Sequence, residues 1–421
     1  MSRRGTLNFG VTWIGFVVRL AGQLGYFLLV ARALGPHDYG IVASVTALLI
    51  VIAAFAGWGG DHVLIRHVTE APARYPDYFG HALLMIAATA LPLAAIAYAL
   101  QWAMVGMAVL PFLAFAFGEL VLVRINATLV AAFMAFERGR NLLLVNSVVS
   151  LGRLGACGIA ILVSSPLDIG RWAVWYLAGM TLAAAATLAY TIAVLGRPRW
   201  HLARGDLALG FHFCLYYTAD SAVRDMDKPL IALLAGPVAA GLYNAAFRIV
   251  DAASMPLRAM AATFYARFFR HGHQGIEHSF RFAAKLLPLT LGYAVFAALA
   301  LNFGSGFLPL ILGEKFHAAI PVVSRLAILP IFTALAAIGG DVLTSSGRQR
   351  TRALVMSALA VTPALLVYLL VPRFGLLGAA YAALGTAAIV ATAIWTMVLM
   401  ARAHARTAAP AIAADAHRTL S

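Results

Sequence analysis

The chain has 421 residues, of which 62% are hydrophobic and only 11% charged, whereas a soluble globular protein carries about 25% charged residues. At about 20 apolar residues per membrane crossing, the length is used up by about a dozen spans and short loops, which excludes a soluble enzyme, a disordered chain and a soluble domain on one anchor. The net charge of +15 would suggest nucleic acid in a soluble protein; here it reads as the basic loops that orient membrane proteins, and no nucleic-acid partner is expected.

In chain order, the apolar runs predict spans over 11–30, 40–59, 82–102, 104–123, 142–163, 172–195, 209–236, 239–264, 283–302, 318–342, 353–371 and 376–400. The first run is too long for the apolar region of a secretory signal and carries Arg19 and Gln23, so it reads as a permanent helix. The expected fold class is an all-α polytopic membrane protein. It would have about twelve transmembrane helices in two six-helix lobes, 1–200 and 201–400, around a central cavity, followed by a disordered cytoplasmic tail over 401–421. Cys157 and Cys214 both lie in apolar runs, so no disulfide framework or metal site is expected.

Loop charges test this layout. With the N-terminus inside, nineteen Lys and Arg fall on inside segments, among them Arg66, Arg138, Arg197, Arg267 and Arg348, against Arg32, Arg171, Lys315 and Arg373 outside. A missed helix would scramble the alternation downstream of it, so the bias supports both the span count and two cytoplasmic termini.

The halves echo one another. Gly35-Pro36-His37-Asp38-Tyr39-Gly40 follows the first span and Gly236-Pro237-Val238-Ala239-Ala240-Gly241 the seventh. Gly139-Arg140 and Gly347-Arg348 repeat at a similar offset. Six spans per half would give a parallel repeat about an axis along the membrane normal.

Charges inside the spans are the candidate functional groups, because each costs several kcal/mol against lipid. At 100° per residue, Asn8, Thr12, Arg19, Gln23 and Tyr26 fall within about 80° of one another on the first helix. Asp220, Arg224 and Asp227, with Tyr217 beside them, share a face of the seventh; Arg248, Asp251, Met255 and Arg258 share one of the eighth; Asn146, Ser150, Arg153 and Cys157 share one of the fifth. Two readings stand. One is a water-filled, cation-lined cavity for an anionic headgroup, suited to the planar, bidentate guanidinium. The other is ion pairing that joins helices, as Asp220–Arg224 and Arg248–Asp251 would do. The set favours the cavity, since basic groups outnumber acidic ones. No Ser-His-Asp set, P-loop or zinc motif is present, so neither catalytic residues, an enzyme activity nor a cofactor is expected.

Residues 31–40, Ala-Arg-Ala-Leu-Gly-Pro-His-Asp-Tyr-Gly, resemble the signature after the first helix of O-antigen and exopolysaccharide repeat-unit flippases. Further matches follow in order: Asp227 with Gly241-x-Tyr243, Leu312-Gly313-Glu314-Lys315-Phe316, Ser346-Gly347-Arg348, and Phe374-Gly375-x-x-Gly378-Ala379-Ala380. The resemblance implies two lobes alternately opening a central cavity to carry an undecaprenyl-pyrophosphate-linked oligosaccharide across the bacterial inner membrane. Pyrophosphate would dock on Arg19, Arg248 and Arg258, with Arg224; Gln23, Tyr26 and Tyr217 would complete a polar lining. Asp220, Asp227 and Asp251 would bind a coupling H⁺ or Na⁺. The partners would be the lipid-linked oligosaccharide, membrane lipids, and a polysaccharide polymerase with its chain-length regulator. Rival expectations are a drug or organic-cation antiporter of the same superfamily, which needs an acidic cavity, and a membrane-embedded glycan polymerase or ligase, which needs a catalytic cluster.

Overall fold

The computed structural model describes the backbone of residues 3–164, 166–272 and 275–418, and the side chains from 22 to 405 except at 165, 216, 219, 220, 262, 266, 271, 273 and 274. The side chains of Arg19 and Asp220 therefore lie outside the described residues. Among the described residues all regular structure is helical. The α-helices are α1 (Arg3–Ala53), α2 (Gly60–Glu70), α3 (Tyr75–Met104), α4 (Val109–Phe117), α5 (Val123–Ala135), α6 (Gly139–Val163), α7 (Ile169–Leu195) and α8 (Leu207–Asp225). They continue as α9 (Asp227–Ala253), α10 (Met255–Gly272), α11 (Ile276–Gly304), α12 (Leu308–Leu312), α13 (Ile320–Leu326), α14 (Leu329–Ser345), α15 (Gln349–Ala358) and α16 (Thr362–Arg418). A π-helical turn, Gly118–Leu122, joins α4 to α5.

Among the described residues, eight helices are long and apolar enough to cross a membrane, or nine when the pair Glu314–Leu326 and Leu329–Ser345, bent by 44°, counts as one. Three of these contain a break. Residues Gly35 in α1, Gly236 in α9 and Gly375 in α16 have non-helical backbones. Splitting the three at their glycines brings nine segments to twelve, the number read from the sequence. Backbone groups in lipid must pair within their own segment, so long apolar runs become helix.

The repeated glycines adopt one conformation: φ 74°, ψ 173° at Gly35 and φ 86°, ψ 166° at Gly236. An L side chain is disfavoured there. Pro36 and Pro237 follow, each at the first position of the resumed helix, where the missing N–H costs nothing. The last glycines of the two motifs then meet. A Cβ on Gly40 would overlap the Pro237 carbonyl oxygen, and one on Gly241 would overlap the Pro36 carbonyl oxygen. Only glycine lets two backbones cross this closely.

The chain forms two compact units, Met1–Leu242 with Pro309–Phe316, and Tyr243–Leu308 with His317–Ser421. The first has a core of Leu64, Tyr75, Phe79, Leu129, Phe133 and Val145. Segment 309–316 lies on its GPxxxG turn: Arg32 Nη1 donates to the Ile311 carbonyl at 3.4 Å, and the Phe316 ring sits 6.5 Å from that of Tyr39. The second unit packs around Phe268, Ile338, Val342, Ile394 and Val398. Large apolar side chains such as Leu91, Leu162 and Phe303 are outward and exposed, as expected where the solvent is lipid rather than water.

Within the first unit, the stretch between α7 and α8 is strapped to the α2–α3 turn. The Arg199 N–H donates to the Pro76 carbonyl at 2.8 Å, and the Arg199 guanidinium lies 3.2 Å from Asp77. Asp206 receives Tyr78 Oη–H at 3.0 Å and lies 3.0 Å from His67 Nε2.

Candidate functional site

Gln23 and Tyr26 of the α1 stripe meet the stripe on α6 in the first unit. A chamber of about 150 Å³ there is lined by Gly22, Gln23 and Tyr26 from α1, Val123 and Asn126 from α5, and Asn146, Val149, Ser150 and Arg153 from α6. The approach is possible because α1 presents small residues to α6: Gly22 faces Ser150, and Gly25 faces Leu154. Behind the chamber, Arg153 Nη2 donates to Glu119 Oε1 at 3.3 Å, and Tyr176 Oη–H donates to the same oxygen at 2.8 Å. Arg153 Nε points at Met180 Sδ, 3.1 Å away. Glu119 sits in the π-helical turn between α4 and α5. This arrangement balances the guanidinium charge and fixes its position. Tyr26 packs against the buried Trp172, with ring centroids 5.8 Å apart.

Gln23 and Tyr26, expected as polar lining, are thus in the chamber with Arg153. Tyr217, the third expected lining residue, is exposed on α8 and stacks on His62 at 4.4 Å. Asn126 carried no signal of its own; a lone amide in an apolar run is the cue that could have found it. Glu119 was visible as an embedded acid, but its partner 34 residues away was not.

At the α8–α9 junction, the ammonium of Lys228, only 3% exposed, donates to the Arg224 carbonyl at 2.8 Å, Asp225 at 3.0 Å and Asp227 at 3.1 Å. All three of its donors are satisfied, so Asp227 is a counterion to a buried lysine. Arg224 is exposed at the end of α8.

In the second unit, Asp251 pairs with Arg258 (Nη1 to Oδ1, 2.7 Å) and not with Arg248, the partner weighed from helical spacing. The helix stops at Ala253 and restarts at Met255. Asp251 and Arg258 are two helical turns apart and share a face, and Nη2 also reaches the Asp251 carbonyl at 3.1 Å. Arg248 is left exposed on α9 with no hydrogen bond or ion pair among the described residues. The carboxylate of Asp341 on α14, 8% exposed, also has no such partner among them. No group of three metal-ligating side chains is found among the described residues.

Comparisons with known proteins were made on this basis. A family model described as polysaccharide biosynthesis protein matches residues 8–271. No match was found among curated proteins. Among solved structures, the chain is similar to the lipid II flippase MurJ in an inward closed conformation (TM-score 0.70, 13% identity, covering 93% of this chain and 87% of that one). It is similar to an inward-facing multidrug resistance MATE family transporter of the MOP superfamily (0.69, 13%, 91% and 95%). It is also similar to a MOP superfamily transporter from Pyrococcus furiosus whose binding pocket is described as having reverse polarity (0.62, 12%, 93% and 94%). At these identities the likeness establishes the fold.

Proposed function

Since the chain belongs to the polysaccharide biosynthesis protein family and has the fold of MOP superfamily transporters, we propose that it is a flippase. Its cargo is an undecaprenyl-pyrophosphate-linked oligosaccharide repeat unit, carried across the bacterial inner membrane by alternating access, with both termini cytoplasmic. The observation that carries the reading is Arg248. An exposed guanidinium without a counter-charge among the described residues, in a segment apolar enough to span, is costly unless it meets an anion or water. Pyrophosphate has two phosphoryl groups, each offering a pair of oxygens to the planar guanidinium fork. In this reading Arg19, Arg224 and Arg258 would supply further positive charge to the anion. An organic-cation antiporter would need the opposite sign at Arg248.

Coupling to H⁺ or Na⁺ falls to Asp220, Asp227 and Asp251. Asp251 suits the task because its pair with Arg258 is half-exposed (31% and 48%); charge loss at Asp251 would release Arg258 to the pyrophosphate. A polymerase and its chain-length regulator would act on the delivered repeat unit.

Deletion tests the reading. Lipid-linked repeat units should accumulate on the cytoplasmic leaflet while surface polysaccharide is lost, with wild-type protein restoring it and a stably folded R248Q protein failing to do so. Unchanged polysaccharide on deletion, or full restoration by R248Q, overturns it.

A further inference from the structure

The chamber between α1, α5 and α6 is separate in character from the cationic set. Arg153 is compensated by Glu119, so the chamber has no surplus charge to attract an anion. Its polar groups are three amides (Gln23, Asn126 and Asn146), the Ser150 hydroxyl, the Tyr26 phenol and one edge of a guanidinium, with Val123 and Val149 as apolar lining. Planar hydrogen-bonding groups beside an apolar surface match a pyranose, which shows hydroxyls at its rim and C–H groups on its face.

Two details show capacity kept free for a ligand. Asn126 Oδ1 is buried with no hydrogen-bond partner among the described residues, a costly state for a buried acceptor. Asn146 bonds its own helix through Nδ2, to the Leu142 carbonyl at 3.2 Å, which leaves its Oδ1 available. The volume, about 150 Å³, is far more than the ~10–15 Å³ that one water needs and leaves room for a ligand the size of a single sugar ring.

Resting on the flippase reading, we infer that this chamber is a monosaccharide subsite that recognises one neutral sugar of the lipid-linked oligosaccharide while the pyrophosphate binds elsewhere. The Glu119–Arg153–Tyr176 network holds the subsite's one charged donor in place. The subsite makes the protein selective for its glycan, not only for a polyprenyl diphosphate.

The test is equilibrium binding of two ligands to the purified full-length protein: the native lipid-linked repeat unit, and undecaprenyl pyrophosphate without sugar. Wild type should bind the glycan form more tightly. N126L should weaken binding of the glycan form about tenfold, the loss expected for one to two hydrogen bonds, and leave the sugar-free form unchanged. Retained affinity for the sugar-free lipid shows that the variant is folded. Q23L, which changes an exposed lining residue, should give the same selective loss and serves if N126L does not fold. Wild type binding neither lipid overturns the flippase reading itself. Wild type binding both equally, or N126L and Q23L keeping the preference, overturns the subsite alone.

Discussion

The crossing of the two GPxxxG turns makes a quantitative prediction. Gly40→Ala should destabilise the protein although alanine is the better helix former. The substitution gains about 1 kcal/mol of helix propensity. Against this, the new methyl overlaps the Pro237 carbonyl oxygen, a backbone atom held by its helix and unable to turn aside. Overpacking of this kind costs about 1–3 kcal/mol, and a rigid partner puts it at the upper end, so the net loss is about 2 kcal/mol. Gly241→Ala overlaps the Pro36 carbonyl and should cost about the same. The double variant should cost less than the sum, because the first methyl has already forced the helices apart for the second. Gly155→Ala on α6 is the control: a Cβ there meets nothing within 4 Å. Thermal unfolding of wild type and the four variants in one detergent reads the effect. If Gly40→Ala melts with Gly155→Ala, or the two crossing substitutions add in full, the close approach of the two motifs is not what holds this region.

Two further outcomes follow from the charge pairs. Asp61→Ala should lower stability by about 3–5 kcal/mol, the range for breaking a buried ion pair, because it strands Arg124, whose Nη2 lies 2.9 Å from Asp61 Oδ2; Asp341→Asn, which removes a buried charge with no donor on it, should not lower it, and the same melts compare them. At Asp206, burial pushes the carboxyl up, but hydrogen bonds from His67 and Tyr78 outweigh this and hold it below the ordinary carboxylate value. A carboxyl depressed in the folded state contributes stability above its unfolded pKa and loses it as pH falls through the folded one. A spin label at Arg197 should therefore gain mobility as pH falls below the ordinary carboxylate range. Asp206→Asn should reproduce that mobility at neutral pH, with faster trypsin cleavage after Arg199 and Arg204; unchanged mobility in both would show that Asp206 does not anchor the connection.

Much of the architecture was written in the sequence. Helix, span count and the breaks at Gly35 and Gly236 were legible because lipid forces each segment to satisfy its own backbone, so local hydropathy and a single Gly-Pro carry the information. The polar stripes on α1 and α6 were legible for the same reason, since a face is a property of one helix. What the sequence could not decide was which faces meet. Asp251 pairs with Arg258 and not with the nearer Arg248, although helical spacing puts both on its face. Arg153 found Glu119, in a π-helical turn, across 34 residues, and Gly40 reached Gly241 from the other half of the chain. Periodicity fixes the direction of a side chain about its own axis, whereas its partner is set by the rotation and crossing of a neighbouring helix, which only tertiary packing determines.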